Sequence, residues 1–229
     1  EAKALEFIDA AIKADPNHVD SFGVRGYINL AFGNNEEAYR DFRYLMSRTE
    51  KSAFVTLFSL PFFVCLRQFD DALELIKAAL EKKYSTVAYG NDTRAFPILY
   101  RGLILRSKGE DDKASESFHE ARSIMEQSLG QFPASPILRC SYAVILAACG
   151  EFELAIREVE KVVHAYPRNA SFAFGYARIF ALRDDRNGMI LWLRKSLDLG
   201  KNDYGLMKSD IFFERFASDP EFLSLLDRK

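Results

Sequence analysis

The stretch CGEFELAIREVEKVVHAYPRNA, residues 149–170, carries the spacing that decides the fold. Gly150 is followed five residues later by Ala155, and large apolar residues stand four and seven positions beyond that alanine. The same step from glycine to alanine opens further copies at Gly33 and Gly109, and Arg67 opens another without the glycine. Because steps of four and seven fall on one face of a helix, each copy predicts an amphipathic helix.

The glycine that opens a copy is expected to form a turn, and a second apolar helix is predicted before such turns. This helix is found in VDSFGVRGYINLAF, AFPILYRGLILRS, PILRCSYAVILAA and ASFAFGYARIFAL. Ser135 and Asn169 stand where helix N-caps are needed, and the turn glycines allow the left-handed backbone that ends the first helix. Small alanines at the crossing let the two helices approach closely, since a larger side chain would overpack it. The chain is therefore predicted to be a row of helical hairpins that bury their apolar faces by stacking.

Composition and charge limit the function. The 229 residues are 48% apolar and carry a net charge of −2 without a run of five basic residues, which gives no electrostatic attraction to nucleic acid. Three scattered cysteines favour a reducing, cytoplasmic location over a disulfide framework. The longest uncharged run, residues 52–66, is shorter than the ~20 residues of a transmembrane helix. The start at Glu1 without Met, inside a repeat, suggests a fragment or an exported chain whose signal was removed.

The repeat resembles the tetratricopeptide repeat, a 34-residue helix pair. The residues that carry the resemblance are a glycine in the first helix, a glycine at the turn and a proline at the end of the second helix: Gly26, Gly102, Gly33, Gly109, Gly150, Pro16 and Pro167. The resemblance implies an all-α, right-handed superhelical solenoid of antiparallel helix pairs in one continuous domain, residues 1–200. It would have a half repeat over 1–16 and repeats starting near 19, 53, 95, 136 and 170. Residues 201–229 resemble the helical capping segment of bacterial relatives.

The sequence favours a non-catalytic protein. It has no phosphate-binding glycine loop and no nucleophile elbow, and His18, His119 and His164 lie on different repeats. We therefore expect no enzyme activity, no cofactor and no metal. The family resemblance implies a scaffold or adaptor that binds a protein or peptide partner. A regulatory or sensory domain of a larger bacterial signalling protein is the alternative, and an enzyme with an unrecognised site ranks third.

The first helices of this family line a concave groove, at about the second, fifth, ninth and twelfth positions of each repeat. Transferred to this chain, the apolar anchors would be Tyr27, Phe54, Leu57, Phe96, Leu99 and Leu103, and Arg106 and Arg178 would orient polar or acidic groups. The same rule adds Asp20, Gly23, Leu30, Pro61, Val64, Ile137, Cys140, Val144, Ala147, Ser171, Phe174 and Ala181 to the lining. Gly23 and Tyr27 occupy the positions of a chaperone-type carboxylate clamp, which argues against such a clamp.

The segment AFVTLFSLPFFVCL, residues 53–66, is apolar on all sides and so must be covered. Pro61 within it is expected to kink or break the helix. The steps between repeats are 42 and 41 residues after residues 53 and 95, instead of 34, so these two repeats contain extra chain. The cover could be the extra segment 84–94, which is expected to be a loop, or a different packing that the longer repeats allow. It could instead be a partner's apolar helix, a second copy of the chain, or a membrane surface.

Overall fold

The fold is built from consecutive helices. The computed structural model describes residues 2–48, 53–81, 87–88, 91–92 and 94–227, with side chains over the same ranges except residues 2, 53–58, 87–88 and 91–92. The helices within these ranges are α1 Ala2–Ala14, α2 Asp20–Ala31, α3 Asn35–Arg48, α4 Ala53–Cys65, α5 Phe69–Glu81, α6 Ala95–Ser107, α7 Asp111–Gln131, α8 Pro136–Ala148, α9 Phe152–Ala165, α10 Ala170–Leu182, α11 Arg186–Asp198, α12 Tyr204–Ser209, a 3₁₀ helix Ile211–Phe216 and α13 Pro220–Leu226. Two-residue strands, β1 Val87–Ala88 and β2 Asn91–Asp92, pair antiparallel within the segment predicted as a loop. Of the rest of that segment, only Arg94 is among the described residues.

Helices pack pairwise in chain order: α2 with α3, α4 with α5, α6 with α7, α8 with α9, and α10 with α11. The predicted all-α helical repeat is confirmed. By its packing the chain divides into two compact units. Unit 1 comprises Glu1–Tyr84 and Asp203–Asp210, and unit 2 comprises Ser85–Asn202 and Ile211–Lys229. The single continuous domain with a separate cap over 201–229 remains a prediction.

The turns between paired helices adopt the left-handed conformation that the repeat predicts. Gly33, Gly109 and Gly150 have φ angles of +85°, +79° and +85°. In the two hairpins without a turn glycine, Arg67 and Asp184 take the same region at +57° and +62°. A side chain in this conformation costs about 1–2 kcal/mol, which explains why glycine recurs there.

The predicted caps are also present. The Ser135 hydroxyl accepts a hydrogen bond from the Leu138 amide at 3.3 Å. The Asn169 side chain accepts from the amides of Ser171 and Phe172, at 3.0 and 3.2 Å. Each cap satisfies amides that the first turn of a helix leaves unpaired. Both helix starts are therefore encoded locally.

Helix α4 runs through Pro61 and continues to Cys65, so of the two predicted effects of the proline, a kink or a break, the break is wrong. Its described second half is buried in unit 1: Leu60, Phe62, Phe63 and Val64 are at most 5% exposed. The Phe62 ring stacks on Phe42 at a centroid distance of 4.3 Å. These four side chains therefore offer almost no surface to a second copy of the chain.

The C-terminal segment contributes one part to each unit, and each part packs against helices of the hairpins. In unit 1, α12 packs against α2 and α4. A Cβ atom at Gly205 would lie only 2.3 Å from the Leu30 carbonyl oxygen, so only glycine permits this approach. In unit 2, the 3₁₀ helix packs against α6 and α10, and α13 packs against α11. The cover over α4 is thus partly α12, an explanation that the sequence did not suggest.

Candidate functional site

The first helices of unit 2 enclose a pocket of about 370 Å³. We call it the aromatic pocket because four aromatic side chains, from α6, α10 and the 3₁₀ helix, line it. Its lining consists of Phe96, Leu99, Tyr100, Ile137, Cys140, Ser141, Val144, Asn169, Ser171, Phe172, Gly175, Arg178 and Phe212. Several positions that the family rule assigns to the groove meet here: Phe96, Leu99, Ile137, Cys140, Val144, Ser171 and Arg178. The lining contains one cation and no carboxylate.

The exposed fractions of the lining side chains separate its rim from its floor. Ile137 is 58% exposed, and Phe96 is half-buried. Leu99 is 2% exposed, and Val144 is 7% exposed. Ile137 and Phe96 can therefore gain contact area when a ligand binds. Leu99 forms part of a fixed apolar floor. Because Leu99 also belongs to the core, its substitution would disturb the core.

Gly175 and Cys140 set the distance between α8 and α10 at the floor. A Cβ atom at residue 175 would approach the Cys140 sulfur to 2.7 Å, so the glycine allows the two helices to come together. Burial raises the pKa of the Cys140 thiol to about 11, with a weaker opposing influence from Arg178. The thiol is therefore protonated at neutral pH and acts as an apolar part of the wall.

Arg178 lies between two aromatic rings at the edge of the aromatic pocket. Its guanidinium carbon is 4.6 Å from the centroid of Phe174 and 4.6 Å from that of Phe212. Cation–π contacts of this kind hold a cation at an apolar surface. The Lys201 ammonium also lies over the Phe174 ring, at 4.8 Å. Two cationic side chains therefore lie at this edge, each against an aromatic ring.

A second concavity of about 390 Å³ in unit 2 is lined by charged groups, and we call it the charged pocket. Arg106, Asp111, Glu214 and Arg215 contribute its charges. Arg106 is engaged within the chain: its Nη2 donates to the Ala148 carbonyl oxygen at 2.8 Å, and its guanidinium lies 4.4 Å from the Phe118 centroid. Burial lowers the pKa of Arg106, and the charge of Arg215 adds to this while Asp111 opposes it.

Leu103 and Ala181 line the charged pocket rather than the aromatic one, and Leu103 is only 4% exposed. Of the predicted anchors in unit 2, Phe96 and Leu99 therefore line the aromatic pocket, and Leu103 lines the charged pocket.

In unit 1, Tyr27 is 37% exposed and meets Phe62 edge-on at 5.7 Å. Burial, with a contribution from the charge of Asp203, raises the pKa of Tyr27. The side chains of Phe54 and Leu57 lie outside the described residues.

The repeat pattern did not point to Tyr100, Phe172 or Phe212 as lining residues. Tyr100 and Phe172 fall between the groove positions of the family rule. Phe212 comes from the C-terminal segment, whose docking on α6 and α10 has no signal in the repeat. The cluster of phenylalanines in IFFERF was a signal of burial, but it does not reveal which face the segment covers.

The described residues contain no group of three or more His, Cys, Asp or Glu side chains that could hold a metal ion. Within the same part of the chain, no helix is both long enough and apolar enough to cross a membrane.

No protein-family model matches the sequence, and no curated protein matches it. Solved structures do match. A tetratricopeptide repeat protein from Parabacteroides merdae is 15% identical, has a TM-score of 0.60, and aligns over 99% of this chain and 78% of its own. PilW, a type IV pilus biogenesis factor, is 18% identical, has a TM-score of 0.49, and aligns over 96% of this chain and 87% of its own. The first similarity shows that this chain has the tetratricopeptide repeat fold.

Proposed function

We propose that this chain is a non-catalytic protein-interaction module that binds a peptide segment of a partner protein in the aromatic pocket. One observation carries the proposal. First helices from three successive hairpins, α6, α8 and α10, contribute side chains to a single apolar concavity that also holds one cation. Ligand pockets are typically concave, mainly apolar and equipped with a few polar groups that fix orientation.

The size of the pocket defines the kind of ligand. At about 370 Å³ it lies near the lower end of the range for ligand pockets, roughly 300–1,000 Å³. An entire helix face would need more room, because the 3₁₀ helix already occupies part of the same face. The proposed ligand is therefore a short segment that inserts one or two side chains. An acidic residue next to them in the ligand would lie near Arg178.

The test uses two matched substitutions of exposed apolar residues. Ile137 is 58% exposed on α8 and lines the aromatic pocket, whereas Leu191 is 62% exposed on α11 and does not. Peptides are selected from a random nine-residue display library on the wild type. Their affinities are then measured by fluorescence anisotropy for the wild type, Ile137→Asp and Leu191→Asp.

We expect Ile137→Asp to weaken binding at least tenfold, because a carboxylate at the rim must be desolvated when the ligand enters. Leu191→Asp should bind like the wild type. Both variants should fold, since both side chains are exposed. Equal binding by all three proteins would refute the pocket as the site, and failure to select any peptide would refute peptide binding.

A further inference from the structure

Phe212 forms a wall shared by the aromatic pocket and the charged pocket. It belongs to the 3₁₀ helix Ile211–Phe216 and is 6% exposed. Its ring meets Tyr100 edge-on at a centroid distance of 6.3 Å, and the Arg178 guanidinium lies 4.6 Å from its centroid. One aromatic ring from the C-terminal segment therefore contributes to the boundary of both concavities.

The two concavities differ in chemistry. Apolar and aromatic side chains line the first, with Arg178 at its edge. The second carries Arg106, Asp111, Glu214 and Arg215. A charged ligand group would find charged and polar partners in the second concavity. In the first concavity the apolar lining would desolvate it, and Arg178 at the edge would compensate only an acidic group. The position of the wall thus decides which side chains a ligand can insert.

Neighbouring contacts fix the wall. Ile211 and Phe213, on either side of Phe212, are 5% and 1% exposed. Phe213 packs against Phe174 at a centroid distance of 5.6 Å, and the Ser107 hydroxyl donates to a Glu214 carboxylate oxygen at 3.1 Å. The 3₁₀ helix is therefore attached to both α6 and α10, next to the position where Phe212 divides the two concavities.

We propose that Phe212 is a specificity-determining residue for the ligand, an inference that rests on the proposed function. It restricts the aromatic pocket to one or two large apolar side chains and denies charged side chains access to the polar groups beyond it. Removing the ring would join a concavity of about 370 Å³ to one of about 390 Å³. The joined site would then accept ligands with a charged side chain at the anchor position.

The experiment compares Phe212→Leu and Phe212→Ala with the control Phe213→Leu. Phe213 lies in the same 3₁₀ helix and is more deeply buried, but it lines neither concavity. A random nine-residue phage-displayed library is selected on each protein after circular dichroism has shown that it is folded. The readout is the ratio of large apolar residues to charged residues at the anchor position of the enriched peptides.

The wild type should enrich large apolar residues at least tenfold over charged ones, and Phe213→Leu should retain that ratio. Phe212→Leu should lower it at least threefold, and Phe212→Ala should lower it further. If Phe212→Ala does not fold, Phe212→Leu alone decides the question. A purely structural role would lower yield or affinity in both Leu variants without changing the ratio, and that result would overturn the inference.

The two proposals can fail separately. If the wild type selects peptides whose binding is sensitive to Ile137→Asp, but Phe212→Leu leaves the anchor preference unchanged, only the inference about Phe212 is wrong. If all affinities rise equally in Phe212→Ala, the ring is a plug rather than a selective wall, and the inference is again wrong. If the wild type selects nothing, peptide binding itself is refuted.

Discussion

The substitution Gly102→Ala tests why the first helix of this hairpin carries a glycine. A Cβ atom at residue 102 would lie 2.4 Å from Cε1 and 2.6 Å from Cδ1 of Phe118, whereas ordinary contacts are 3.4–4 Å. Phe118 is 1% exposed, and the guanidinium of Arg106 lies 4.4 Å from the centroid of its ring. The ring is buried, so it can make room only by displacing its own neighbours or by moving α6 and α7 apart.

Two opposing effects set the magnitude. Replacing a helical glycine by alanine gains about 0.8–1 kcal/mol in helix propensity. Overpacking a tight core contact costs about 1–3 kcal/mol. Because the overlap here exceeds 0.8 Å and involves a buried ring, we take the upper part of that range. The net loss in the free energy of unfolding should be about 1–2 kcal/mol.

Urea denaturation followed by circular dichroism measures this loss. Gly130→Ala is the control, because Gly130 is helical and a Cβ atom there would meet nothing within 4 Å. It should raise the free energy of unfolding by about 0.5–1 kcal/mol. Combining Gly102→Ala with Phe118→Leu should cost less than the sum of the two single changes, since the smaller side chain relieves the overlap. A Gly102→Ala protein as stable as the wild type would refute the reasoning.

Three further predictions concern stability. Gly150→Ala should lower the free energy of unfolding by about 1–2 kcal/mol through backbone strain alone, because φ is +85° and a Cβ atom there meets no neighbour. Asp184→Gly, which introduces a glycine where φ is +62°, should raise the free energy of unfolding in the same urea assay. Asn169→Ala should cost about 1 kcal/mol through loss of the α10 cap, measured as a lower thermal midpoint, while Asn169→Ser should retain most of that stability. Burial, with Glu160 contributing, raises the pKa of Tyr176 to about 12, so its neutral form is favoured in the fold. Between pH 10 and pH 12 the phenol ionises in the unfolded chain before it does in the fold, so the contribution of Tyr176 to the free energy of unfolding is complete below pH 10 and is lost over that range. Tyr176→Phe should therefore lose less stability between pH 9 and pH 11 than the wild type does.

The hairpins were predictable because their determinants are close together in the sequence. The turn glycines at 33, 109 and 150 encode positive φ angles locally, and Ser135 and Asn169 cap helices that begin at the next residue. The apolar period specifies which face of each second helix is buried. The predicted break at Pro61 is wrong for a related reason. Proline propensity favours a break, but burial of the neighbouring Leu60 and Phe62 stabilises an α4 that runs through the proline.

The candidate site was only partly predictable. The family rule identifies positions such as Phe96, Ile137 and Arg178, which meet in one pocket, because those positions repeat with the helices. It does not reveal that Leu99 and Leu103 lie at the bottom of concavities, because burial depends on what packs above them. Nor does it reveal that the guanidinium of Arg106 donates to the carbonyl of Ala148.

The sequence by itself determined the repeating hairpin, its caps and its turns, because these follow from residues within one or two helical turns of each other. Only the tertiary structure decided where the C-terminal segment lies. Its contacts join residues more than 100 positions apart, as in Ser107 with Glu214 and Arg67 with the carbonyl of Ser209. No periodic pattern encodes contacts at that separation. They depend on which apolar faces the assembled helices leave uncovered, and that is settled only when the helices have packed.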